Sequence, residues 1–172
     1  MPSNKVELSL EDGMRIAGDF LYNIAFTMGT TAGRIAGSIR RRRPIVHDVD
    51  LVFRYLSDNF GQRMSELKEI CYSMPSVEVN KWGPKLAALT YWGVPIDLYF
   101  STPETFHTLL LIRTGSKENN IRLASIAKSK GWKLHASGDG LFNERGKRIA
   151  GDSERSIYDA LGVPWQEPWE RG

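Results

Sequence analysis

Two stretches of this sequence put carboxylates where a strand would hold them on a sheet face or inside it, and they restrict what the chain can fold into. His47-Asp48-Val49-Asp50-Leu51-Val52-Phe53 alternates polar and apolar residues. That period predicts a β-strand with Asp48 and Asp50 on one face, about 6 to 7 Å apart. Val94-Pro95-Ile96-Asp97-Leu98-Tyr99-Phe100 predicts a second strand, and its apolar members place it inside a sheet with Asp97 in the middle. An acid in that setting is stabilised only by a partner or a metal ion. If the two strands are neighbours, the three acids form an oxygen-rich site of the kind Mg²⁺ takes. Two ions roughly 4 Å apart would then be completed by water and substrate phosphates.

The rest of the chain alternates helical and strand periods, with no internal repeat and no low-complexity segment. Residues 10–28 carry apolar side chains at helical spacing behind Ser9, a helix cap with Asp12 three residues on. Residues 30–36 predict a strand, broken by Gly37-Ser38, with a short helical turn opening at Ser38. A helix over 57–72 starts from Ser57. Three strands follow over 77–79, 85–91 and 94–100, with turns at Trp82-Gly83-Pro84 and Trp92-Gly93, so the sheet is largely antiparallel. Helices over 104–112 and 117–130 are separated by Thr114-Gly115-Ser116. Short strands over 132–135 and 148–150 flank Gly140-Leu141-Phe142, and a last helix covers 153–161. The fold class is α+β: a mixed, largely antiparallel sheet with flanking helices, then a small helical and β region.

At 172 residues the chain holds one domain or two small, tightly joined subdomains. With 41% hydrophobic and 25% charged residues it reads as globular. No apolar run approaches the roughly 18 residues of a membrane span, and residues 1–10 are too polar for a signal peptide, so an intracellular, non-secreted protein with no membrane partner is expected. Cys71 is the sole cysteine, which excludes an intramolecular disulfide or a zinc site of several thiolates. The net charge is only +3, but it is unevenly spread: residues 34–43 hold five arginines and no acid, and 113–148 are again base-rich. Lys128, Lys130, Lys133, Lys147 and Arg148 are candidates for phosphate contacts. The five tryptophans read as packing residues, and His47 points to the strand face opposite Asp48.

Gly37-Ser38 stands eleven residues before Asp48 and leads straight into Arg40-Arg41-Arg42-Arg43. A hydroxyl, backbone N–H groups at a tight turn and adjacent guanidiniums suit a triphosphate. In this order, Gly37-Ser38-Ile39-Arg40-Arg41 and Asp48-Val49-Asp50 resemble the G-S-x-R-R and D-x-D elements of the family X DNA polymerases, relatives of DNA polymerase beta. Ile96-Asp97-Leu98 resembles that family's third catalytic strand, and Arg113-Thr114-Gly115-Ser116 its palm-to-thumb turn. Lys130 to Leu134, Gly140-Leu141-Phe142 and Ser153 to Pro164 are similar to its thumb and C-terminal end. The resemblance covers roughly residues 10 to 170.

The resemblance implies a palm over residues 1–112 and a thumb over 113–172 that closes on the nucleotide, without the N-terminal lyase domain of larger members. Asp48, Asp50 and Asp97 would be the catalytic acids and the ligands of two Mg²⁺ ions, with Mn²⁺ a possible substitute. Gly37, Ser38, Arg41, Arg113, Gly115 and Asn120 would bind the nucleotide, Asn120 from the minor-groove side of its base. Thr114, Lys128, Lys130, Lys133 and Arg148 would contact DNA. The implied partners are a dNTP and primer-template or gapped DNA, and the implied protein is a monomer. It would be a template-directed polymerase for short-gap filling, repair or replication synthesis. Ile112-Arg113 replaces the aromatic pair many members carry beside the sugar, and Ala124 replaces an arginine that probes the template in some relatives. These departures bear on sugar discrimination and fidelity. A template-independent nucleotidyltransferase acting on RNA, DNA or protein uses the same acids, and a nucleic-acid-binding protein with a decayed site is a third reading.

Overall fold

The computed structural model describes residues 6–28, 33–55 and 58–172. Ser57 and residues 30–32, which carried a predicted cap and part of a predicted strand, lie outside the described residues.

Helix α1 (Leu10–Met28) begins where the sequence places it. The Ser9 hydroxyl accepts the Asp12 N–H at 3.1 Å, which satisfies one of the first-turn donors. Its inner face buries Ala17, Phe20 and Ile24, and each large side chain so buried contributes about 1.5 to 3 kcal/mol. Just before it, β1 (Leu8–Ser9) pairs antiparallel with β3 (Ile45–Val46), a ladder too short to leave any periodic signal.

The main sheet is built from β2 (Gly33–Ile35), β4 (Val49–Arg54), β5 (Val77–Trp82), β6 (Leu86–Tyr91) and β7 (Val94–Ser101), in the order β2-β4-β7-β6-β5. β4 and β7 run parallel, and the other three pairs are antiparallel. Trp82, predicted in a turn, is the last residue of β5, where it still pairs with Ala87. On one sheet face Leu51, Phe53, Ile96, Leu98 and Phe100 pack with α1 and with Leu67 and Cys71 of α3 (Phe60–Ser73) into the larger core. On the other face Val52 and Tyr99 pack with Ala36 and with Phe106, Leu109 and Leu110 of α4 (Phe106–Thr114).

The second core begins one residue further along α4, at Leu111. It gathers α5 (Lys117–Ser129), α6 (Glu154–Leu161) and a small antiparallel sheet of β8 (Lys133–His135), β9 (Gly140–Phe142) and β10 (Arg148–Ala150), in the order β10-β9-β8. Residues 140–142, predicted only to be flanked by strands, form the central one. Ser116 and Ser153 cap α5 and α6, each accepting a backbone N–H three residues on. A single-turn helix, α2 (Gly37–Arg40), lies between β2 and β3 against the same α4. The two cores therefore share one continuous helix, which passes unbroken through residues 112 and 113. Among the described residues no helix is long and apolar enough to cross a membrane.

Candidate active site

Strand pairing does what the sequence required of the acids. In the parallel ladder Asp50 stands directly opposite Asp97, on strands about 4.8 Å apart. The two-residue period puts Asp50 and Val52 of β4 and Asp97 and Tyr99 of β7 on the face that carries α4. Asp48 is exposed at the entry to β4. Burial, then Asp48 and Asp97, push the Asp50 carboxyl up to about 7, against the pull of Tyr99 and Arg113. Asp97 is also raised, by burial and then by Asp48, and Arg113 opposes the rise.

Gly37 explains why the turn before the acids carries no side chain. Its φ is +58°, and a Cβ there would lie 2.0 Å from Asp50 Oδ2. The carboxylate can occupy its place only because the residue facing it is glycine.

An open cleft of about 410 Å³ lies between the sheet and the second core. Gly37, Ser38, Arg41, Asp48 and Asp50 line one side, and Arg113, Gly115 and Asn120 line the opposite side. Of the predicted metal and nucleotide residues, Asp97 alone is not part of the lining. Among the described residues no three acidic, histidine or cysteine side chains are assembled into a ready metal-binding group. Asp48 and Asp50 do offer hard carboxylate oxygens to the cleft, and a cation there would relieve their mutual repulsion. Asn120 donates to the Ile112 carbonyl at 2.8 Å, while its own carboxamide oxygen is buried with no partner among the described residues.

The arginines after Ser38 divide between the cleft and partners within the protein. Arg41 lines the cleft, but its Nη1 donates to the Thr114 carbonyl at 2.6 Å and its Nε to the Gly172 carbonyl at 3.1 Å. Burial, then Arg43, hold its guanidinium below the ordinary arginine range. Arg40 leaves the site altogether: it donates to the Thr114 hydroxyl at 2.7 Å and doubly to Glu154, at 2.9 and 2.6 Å. Arg171, fully buried, donates to the same Glu154 at 2.9 Å. Arg42 stacks on Trp169, 3.8 Å from its ring centre.

Two of the predicted DNA contacts have their side chains engaged within the protein. Thr114 is fully buried in the last turn of α4, which both starts and ends two residues later than predicted. Its hydroxyl faces Arg40. Arg148 donates to the Asp139 carbonyl, to Asp152 and to the Glu104 carbonyl, at 2.9, 2.8 and 3.0 Å, so it clips the small sheet to the segment before α4. Lys128, Lys130 and Lys133 are exposed, as a phosphate-binding surface needs. His47, turned away from the acids, bonds the Val6 carbonyl through Nδ1 at 2.8 Å.

Sequence reasoning missed three lining residues: Tyr99, Lys117 and Ile121. Tyr99 had a signal, since it lies two residues after Asp97 and so on the same strand face. Ile121 is exposed beside Asn120, which helical spacing alone does not distinguish from a core position.

Known proteins resemble this chain in sequence and in fold. The family model described as DNA polymerase beta thumb matches residues 109–172. The DNA polymerase/3'-5' exonuclease PolX of Bacillus subtilis is 28% identical over 137 residues, which is 77% of this chain and 23% of the relative. DNA polymerase lambda of Arabidopsis thaliana is 27% identical over 168 residues, 78% of this chain and 31% of the relative. The chain thus spans about a quarter to a third of the length of these relatives. The Leishmania infantum polymerase beta structures with primer-template and with gapped DNA superpose with TM-scores of 0.82 and 0.83 at 21% and 20% identity. They cover 97% and 96% of this chain, which covers 77% and 71% of theirs.

Proposed function

We propose that this chain, whose residues 109–172 match the DNA polymerase beta thumb model, is a family X, template-directed DNA polymerase that adds a deoxynucleotide to a primer 3′-hydroxyl. The observation that carries this reading is the single cleft in which the Gly37-Ser38 turn, the palm carboxylates and the Gly115 to Asn120 start of the thumb helix meet. A nucleoside triphosphate would set its phosphates against Gly37, Ser38, Arg41 and Arg113. Its base would lie toward Asn120 on the opposite wall.

Asp48 and Asp50, joined by Asp97, would hold divalent cations, Mg²⁺ or in its place Mn²⁺. When bound, such ions offset the charge on the transferred phosphate and lower the pKa of the attacking hydroxyl. Asp97, on the acid-bearing face beside Asp50, would accept the proton of the 3′-hydroxyl. The exposed Lys128, Lys130 and Lys133 would grip the backbone of primer-template or gapped DNA. The protein would work as an intracellular monomer.

The test is extension of a labelled primer on templates that differ at one base, with each nucleotide supplied singly. The added base follows the template and Asp97→Ala is inactive if the proposal is right. Addition that ignores the template would transfer the site to template-independent nucleotidyl transfer.

A further inference from the structure

The Asp50 carboxylate is held from two sides. Oδ2 lies against the bare Cα of Gly37. Oδ1 receives the Tyr99 hydroxyl at 3.4 Å. That distance is long for a bond between oxygens, so the hydroxyl steers the carboxylate without saturating it. One side of the Tyr99 ring packs against the cluster of Ala36, Val52, Phe106, Leu109 and Leu110. From the open side the Arg113 guanidinium covers it, 4.2 Å from the ring centre, a cation–π contact. Arg113 belongs to the last turn of α4, the helix common to both cores.

We infer that Tyr99 is a positioning residue that sets the orientation of Asp50 toward the cleft, with its ring clamped by Arg113 from the palm-to-thumb helix. The carboxylate's readiness for a cation then depends on where the thumb holds Arg113. The inference rests on the reading that these acids take divalent cations.

Mn²⁺ titration followed by electron paramagnetic resonance tests it, on the full chain without DNA at pH 8.5. Tyr99→Phe keeps the ring and removes the hydroxyl, and loss of one such bond predicts Mn²⁺ affinity weaker by about 3- to 10-fold. Nucleotide addition falls at low Mg²⁺ and recovers at high Mg²⁺, while the melting temperature and the KM for nucleotide at saturating metal stay put. In an Arg113→Ala background Tyr99→Phe costs less than half as much, because an unclamped ring no longer presents its hydroxyl. Unchanged Mn²⁺ affinity, or a loss that high metal does not restore, overturns the inference. A wild-type chain that binds no Mn²⁺ would overturn the metal reading first, and the inference with it.

Discussion

Asp50 is ionised at a cost to the fold. Its carboxyl is pushed up to about 7 by burial and by its acidic neighbours, from an ordinary 3.8. The stability of the protonated form is therefore fully present below the unfolded value and is lost as pH rises through about 7. The shift corresponds to about 2 to 4 kcal/mol at pH 8. Asp50→Asn in metal-free buffer should raise the melting temperature by about 5 to 10 °C at pH 8 and hardly at all at pH 4. A scan that finds the same difference at both values would contradict the electrostatic account. At this scale the sequence was legible wherever a side chain's place follows from its own element. Asp48, Asp50, Gly37 and Asn120 all fall in the cleft. It was not legible for Thr114, Arg40 and Arg148, whose partners come from other elements: a basic or polar residue in a basic stretch looks the same whether it faces DNA or a carbonyl.

Among the elements, α1 and the start of β7 follow their periods closely, because long apolar stripes and a capping serine determine them. The two-residue strands β1 and β3 escaped because their pairing joins segments far apart in sequence and leaves no alternation to read. The thumb elements divide the basic residues between two roles. Replacing Lys128, Lys130 and Lys133 together by Ala should weaken DNA binding and lower its salt slope, by roughly 0.9 for each phosphate no longer neutralised, with the melting temperature unchanged. Arg148→Ala should do the reverse, because it frees the Asp139 and Glu104 carbonyls and leaves the three exposed lysines in place. Fluorescence anisotropy over a salt series, paired with thermal melts, separates the two, and a steep loss of DNA affinity in Arg148→Ala would reverse the assignment.

The molecule as a whole is fastened at one buried junction, where Arg40 of α2 and Arg171 of the C-terminal segment meet on Glu154 of α6. No local pattern announces this triad, since Arg40 and Glu154 are 114 positions apart. Burial raises the Glu154 pKa, but Arg40 and Arg171 outweigh it and hold the carboxyl below its ordinary 4.5. Its contribution is present above that ordinary value and is lost as pH falls through the lower folded one. Glu154→Gln should cost about 3 to 5 kcal/mol at neutral pH, because two arginines lose a buried counter-charge. The deficit should shrink in strong acid, and a deficit independent of pH would remove the ion triad as its cause.

The same junction seats the thumb over the acids, so the central claim is that this assembled cleft does chemistry on DNA that the thumb holds. Asp97 tests it most sharply, since it shares a ladder position with Asp50 yet does not line the cleft. The decisive measurement is single-nucleotide incorporation and DNA affinity, made side by side on wild type and Asp97→Ala. The account predicts incorporation reduced at least about a thousandfold, as for loss of a group central to transition-state stabilisation, with DNA affinity changed by no more than about twofold, since the lysine grip is untouched. Incorporation that survives in Asp97→Ala, or DNA affinity that collapses with it, would contradict the account.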